Sequence, residues 1–164
     1  MKNLILGLLI FGLTTQVYSQ VIELSEVNVS VNYKYLDAVN SDQTAVPVKV
    51  LTEQLLNYET KADLYEDEYD TYRVSFYIPE GKIVAAYDKD GKILRTIEKY
   101  KNVRLPKEVL ESVAEKYPKW AVIEDVYEVK YHCDKGFTKK QYKIKLQNEG
   151  KIVNIKTDAN GNFI

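Results

Sequence analysis

The sequence predicts an α+β fold: tandem helix-plus-antiparallel-meander repeats form one sheet, with both helices packed on one face. Three observations predict it. The chain is written twice, because Gly81-Lys82-Ile83-Val84 recurs as Gly150-Lys151-Ile152-Val153 and Tyr72 to Phe76 corresponds to Tyr142 to Leu146. Asp88 to Gly91 then matches Asp158 to Gly161 with one extra residue in the second copy, while Pro47, Val50, Leu51 and Tyr58 repeat their spacing at Pro106, Val109, Leu110 and Tyr117. Such repetition marks one structural unit used twice. The segments beside the glycine turns alternate apolar and polar residues at period two, as strands with one wet face do. Within the meanders no helical pattern separates the strands, so neighbours run antiparallel.

Residues 1–19 read as a secretory signal peptide, with Lys2, the apolar run Leu4 to Leu13 and cleavage after Ser19. The expected location is periplasmic or secreted, with no membrane span after cleavage. Residues 20–44 form an N-terminal strand and connection: Val27, Val29, Val31 and Tyr33 alternate with Asn28, Ser30 and Asn32, and a polar link runs from Tyr35 to Thr44. Residues 45–104 form the first repeat. Pro47 suits a first helical turn, where its missing N–H is harmless, and Val50, Leu51, Gln54, Leu55 and Tyr58 share a helical face. After the acidic stretch Lys61 to Asp70 come a strand from Tyr72 to Ile78, a turn at Pro79-Glu80-Gly81, a strand from Lys82 to Tyr87, a turn at Asp88 to Gly91 and a strand from Ile93 to Ile97.

Residues 105–164 form the second repeat. Val109, Leu110, Val113 and Tyr117 share a helical face that Pro118 closes, and strands follow over Trp120 to His132, Thr138 to Gln147 and Lys151 to Thr157, with a short ending at Phe163. The strand beginning at Trp120 has no counterpart in the first repeat, where the acidic stretch stands instead. Alternation turns Tyr72, Val74, Phe76, Tyr127, Val129, Tyr131, Tyr142, Ile144 and Leu146 toward the helices. It turns Arg73, Tyr77, Glu128, Lys130, His132, Lys143, Lys145 and Gln147 outward, onto a broad, mildly basic face.

Removing Lys2 leaves 22 basic residues against 24 acidic ones, a balance that gives no electrostatic case for nucleic acid. One cysteine, Cys133, excludes an internal disulfide, and the only histidine, His132, is its strand neighbour and so is expected on the opposite face. That argues against a thiolate nucleophile, and a zinc site needs more His or Cys ligands than the composition holds. Asp88 to Gly91 and Asp158 to Gly161 echo a calcium loop, but flanking strands explain both as hairpin turns. The cluster Asp63, Glu66, Asp67, Glu68 and Asp70 reads as a solvated loop. Lys139, Lys140, Lys143 and Lys145 read as lysines on an exposed strand that guard the sheet against edge pairing. The fourteen tyrosines favour half-buried sheet positions and contact surfaces. No catalytic residues, metal or cofactor are expected.

Leu105-Pro106, Val109, Val113, Tyr117-Pro118, Trp120, Val126, Tyr127, Val129, Tyr142, Ile144, Leu146, Gly150, Val153 and Asp158 to Gly161 together resemble the PepSY-like family of exported bacterial proteins, whose fold is similar to that of the β-lactamase inhibitor protein. The resemblance implies a tandem helix-plus-meander domain whose sheet face is an interaction surface, with inhibition or restraint of a hydrolase as one role. This chain lacks the cysteine pairs on which that inhibitor depends. The expectation is an exported, non-enzymatic domain that contacts an envelope or extracellular protein through Arg73, Tyr77, Lys130, His132, Lys143 and Lys145. The alternative is a small apolar-ligand or glycan binder that uses a tyrosine-lined cleft between the repeats.

Overall fold

A computed structural model describes residues 32–39, 44–58 and 71–164. The predicted signal peptide, the residues Val27 to Val31 and the acidic stretch 61–70 lie outside the described residues. Helices α1 (Tyr33–Val39), α2 (Val46–Leu56) and α3 (Lys107–Lys116) accompany strands β1 (Thr71–Ile78), β2 (Gly81–Asp88), β3 (Ile93–Lys101), β4 (Ala121–His132), β5 (Gly136–Asn148) and β6 (Lys151–Asp158). The six strands form one antiparallel sheet in chain order. Leu51 and Leu55 of α2 and Val109 and Val113 of α3 share one core with Ile83, Tyr87, Tyr100, Tyr131, Tyr142, Ile144 and Leu146 of the sheet. The helices therefore cover a single face, as the alternation requires.

The N-terminal region departs from expectation. Tyr33 begins a helix and does not end a strand, and the polar link from Tyr35 contains the rest of α1. Tyr35, 1 % exposed, explains the difference: its ring packs edge-on to Tyr131 at 5.1 Å, and its hydroxyl donates to Glu98 in the core. Asn32 anchors the start of α1, accepting from the Ile93 N–H at 2.7 Å and donating to the Gly91 carbonyl at 3.2 Å. These partners are about sixty residues distant, so local periodicity carried no trace of them.

Pro47 sits in the first turn of α2, which has no side-chain cap. The helix buries Val48, Leu51, Thr52, Leu55 and Leu56. Those positions follow the i, i+3, i+4, i+7, i+8 stripe of a core-facing helix. The expected face was rotated from this stripe, and Val50 and Gln54 are exposed. Leu110 of α3 is exposed as well, while Val109 and Val113 are buried. At the far end of α2, the Tyr87 hydroxyl donates to the Leu55 carbonyl at 2.8 Å, which ties the helix to the sheet.

Between β3 and α3 the chain reverses through Asn102, at φ 51°. The Asn102 N–H donates to the Asp125 carbonyl, and the Asp125 carboxylate accepts from the Val103 N–H at 3.1 Å. The aspartate turns are built alike: Asp88 Oδ1 accepts from the N–H groups of Asp90 and Lys92, and Asp158 Oδ1 from those of Asn160 and Asn162. Their carboxylates organise hairpin turns, as expected.

The repeated Gly-Lys-Ile-Val word is not structurally equivalent in its two copies. Ile78 pairs with Gly81 across the first turn and Asn148 with Lys151 across the second, so Gly81 corresponds to Lys151 and not to Gly150. The same constant offset joins Tyr72 to Tyr142 and Asp88 to Asp158, and no extra residue is needed. It also matches the Tyr87–Ile93 pair to the Thr157–Phe163 bridge. A one-residue slip in a strand exchanges its faces. Accordingly Ile83 is fully buried whereas Ile152, its equivalent by wording, is 54 % exposed.

The two glycines consequently serve different needs. Gly150 has φ +78° with open space around it, whereas a Cβ on Gly81 would lie 2.5 Å from Cδ1 of the buried Tyr100 ring. Gly81→Ala should destabilise the fold by about 1–3 kcal/mol through overpacking, and Gly150→Ala by about 1–2 kcal/mol through its left-handed backbone. Urea melts in a double-mutant cycle with Tyr100→Leu separate the two causes. Tyr100→Leu should couple to Gly81→Ala and be additive with Gly150→Ala.

Candidate functional site

The strand register fixes which side chains meet on the uncovered face. One row crosses the sheet through Arg73, Ala86, Arg95 and His132; the next passes through Ser75, Val84, Ile97, Lys130 and Lys139. A third contains Tyr77, Lys82, Lys99, Glu128 and Gln141, and a fourth Lys101, Val126, Lys143 and Lys156. Glu124, Lys145 and Asn154 follow. Asp158 stands opposite Gln141 and Asp88 opposite Thr71, so among the described residues ten lysines and arginines share the face with the four carboxylates of Asp88, Glu124, Glu128 and Asp158, although the whole chain carries a net charge of −1. Tyr77 and Ile97 stand among the cations at 65 % and 52 % exposure.

All six residues singled out from the sequence lie on this face, and Arg73, Tyr77 and Lys130 are exposed there. Lys143 and Lys145 are already engaged. Lys143 Nζ donates to Glu128 Oε1 at 2.7 Å, Gln141 and Lys139 donate to Glu128 Oε2, and Lys145 pairs with Glu124 at 3.2 Å. Burial pushes the Glu128 carboxyl up, but Lys143 and Lys139 outweigh it and hold the group below the usual carboxylate range. Glu128 thus fixes three neighbouring side chains in place.

Sequence reasoning missed Lys82, Arg95, Ile97, Lys99, Lys101 and Lys156. The β3 alternation continues to Lys101, so extending that strand by four residues would have found Lys99 and Lys101. Lys140 was grouped with the exposed lysines and belongs to the other face: it pairs with Val129, and its ammonium lies 4.0 Å from the Phe137 ring centre. The separation of His132 from Cys133 also fails, because β4 ends at His132 and Cys133 lies in the following turn. Ligand atoms of His132, Cys133 and Asp134 fall within 4.8 Å of one another there, close enough to share a cation.

On the covered face, a cavity of about 300 Å³ opens at the seam between the repeats, bordered by the start of α2, the link from β3 to α3 and the turn after β6. Tyr127 and Tyr142 stack at 4.5 Å in its wall, and Tyr100 continues the stack at 6.1 Å from Tyr127. Glu98, 3 % exposed, also lines it. Oε1 of Glu98 accepts from Tyr35 at 2.9 Å and Thr96 at 2.6 Å, and Oε2 from Tyr100 at 2.9 Å. Burial raises the Glu98 carboxyl against these hydroxyl donors and the more distant Lys140 ammonium. The same burial, with Glu98 beside it, pushes the Tyr127 phenol up to about 12.

No family model and no curated protein matches the chain. Among solved structures it is similar to a BLIP-like protein from Bacteroides fragilis, at 18 % identity and a TM-score of 0.34, over 60 % of this chain and 68 % of that one. That likeness is to a BLIP-like protein and does not bear on the PepSY-like family. At such a TM-score it carries no argument about what the chain binds.

Because Glu98 binds its proton more tightly folded than unfolded, it adds stability that is complete below the unfolded value near 4.5 and lost as pH rises through the folded one. Glu98→Gln should remove that component. Melting temperatures across mildly acidic to neutral pH should fall further in the wild type than in the variant, and parallel curves would contradict the assignment.

Proposed function

We propose that this chain is a non-catalytic binding domain whose open sheet face docks on an acidic protein surface. The observation that carries the reading is the segregation of charge: among the described residues ten cations and four carboxylates share one face of a chain whose net charge is −1. A concentrated cationic field of this kind steers an acidic partner into place and rejects basic ones. Tyr77 and Ile97 supply exposed apolar anchors within it, and a central aromatic or aliphatic contact ringed by polar groups is how interfaces concentrate binding energy. Glu128 pre-orders Lys139, Gln141 and Lys143, which lowers the entropy lost on docking.

The signal-peptide reading of residues 1–19 supports an envelope or extracellular partner, and restraint of a hydrolase is one form such docking takes. A binding domain needs no acid, base or nucleophile, in keeping with a sequence that has one histidine and one cysteine.

The test is capture from envelope extract on the immobilised chain lacking residues 1–19. The captured protein should present an acidic surface and elute with salt. Tyr77→Ala combined with Lys130→Ala should weaken binding by about tenfold or more, and Lys82→Glu combined with Lys99→Glu should abolish it. Equal capture by all three proteins would refute the sheet face as the contact surface.

A further inference from the structure

The cavity at the seam faces away from the cationic sheet surface and has a lining of different chemistry. Its volume of about 300 Å³ is at the small end of ligand pockets, which span roughly 300–1,000 Å³. Val48, Val103, Tyr127, Phe137 and Tyr142 form apolar and aromatic walls. Glu98, Glu108, Lys140, Arg104 and Asn160 are the polar groups among them. Carboxylates and cations are therefore in balance, and the lining selects neither an anion nor a cation.

A purely apolar occupant would strip water from these groups without replacing their hydrogen bonds, which is unfavourable for each of them. A hydroxyl meets both demands, since it donates to a carboxylate and accepts from an ammonium, a guanidinium or an amide. Glu98 retains capacity for such a donor. A carboxylate offers about four acceptor positions, and among the described residues the hydroxyls of Tyr35, Thr96 and Tyr100 occupy three, two on Oε1 and one on Oε2. A buried carboxyl held rigidly by three hydroxyls is a fixed acceptor, and its geometry does not need to reorganise on binding.

We propose that the seam cavity binds a neutral, hydroxyl-rich ring of pyranose size, a single sugar unit, with its hydroxyls on Glu98, Asn160 and Lys140 and its C–H faces against the apolar walls. The site lies on the helix side, so its occupation is independent of docking on the open face. Small size and partial enclosure set the expected affinity at the millimolar level typical of a few hydrogen bonds and one apolar contact.

The experiment is a nitrogen–proton NMR titration of the chain lacking residues 1–19 with the methyl glycosides of glucose, galactose, mannose and N-acetylglucosamine, and separately with octanoate. At least one glycoside should shift the backbone signals of Glu98, Val129 and Asn160 saturably. Ala45→Trp, which fills the cavity from its rim, should abolish those shifts while the melting temperature stays within a few degrees of wild type. Asn160→Ala, at an exposed turn, should weaken binding several-fold. The proposal is overturned if no glycoside produces saturable shifts, if octanoate binds there and the glycosides do not, or if Ala45→Trp binds as the wild type does.

Discussion

A six-stranded antiparallel sheet that the described helices cover on one side is the constraint on which the structure depends. Every strand must turn alternate residues to the helices and the rest to water, and a slip of one residue exchanges the two sets. That requirement fixes the register at each turn. It also explains why the second hairpin spends Gly150 inside its turn while the first uses Pro79 and Glu80 there and keeps Gly81 in the strand, beneath the Tyr100 ring. The chain met the same steric and pairing demands twice with different residues, and an identical word arose out of phase.

The covered face buries Thr96, Thr157 and the carboxyl of Glu98 along with its apolar residues. Glu98 sits among buried tyrosines on the central strand β3, and three hydroxyls compensate its loss of water. A buried carboxyl is costly unless its acceptor sites are met. Meeting them recruits Tyr35, and through Tyr35 the short helix α1, to a sheet position distant in sequence. The same carboxyl borders the seam cavity, so a single residue couples the docking of α1, the stacked tyrosines and the most polar part of the cleft. On the uncovered face Glu128 has the opposite role. Its neighbours are cations, its carboxyl stays ionised to lower pH, and it fixes lysines that would otherwise swing freely.

Much of this was legible in the sequence. Period-two text gave the facing of β1, β4 and β5 correctly at Tyr72 to Tyr77, Tyr127 to His132 and Tyr142 to Gln147. Both proline-led helices and both aspartate turns were readable from local chemistry, because caps and turns are settled within a few residues. What stayed hidden depends on distant partners. Helix α1 exists where Tyr35 and Asn32 reach β3, about sixty residues away. Lys140 continues the inward alternation of Tyr142 and Ile144 and was legible from it, whereas the register shift between Lys130 and Tyr131 brings Phe137 onto the inward face opposite Tyr131. The strength of the cationic face was underestimated because β3 was ended at Ile97, short of Lys99 and Lys101.

Folding, on this account, converts a nearly neutral chain into one with a segregated cationic surface, and the proposed docking rests on that conversion. Ion-exchange chromatography tests it directly. At neutral pH the folded chain lacking residues 1–19 should be retained on a sulfonate cation exchanger despite its net negative charge, and release should come with salt. Unfolded in urea, where the lysines disperse among the acidic residues, it should flow through. Flow-through of the folded chain, or equal retention of both forms, would contradict the account.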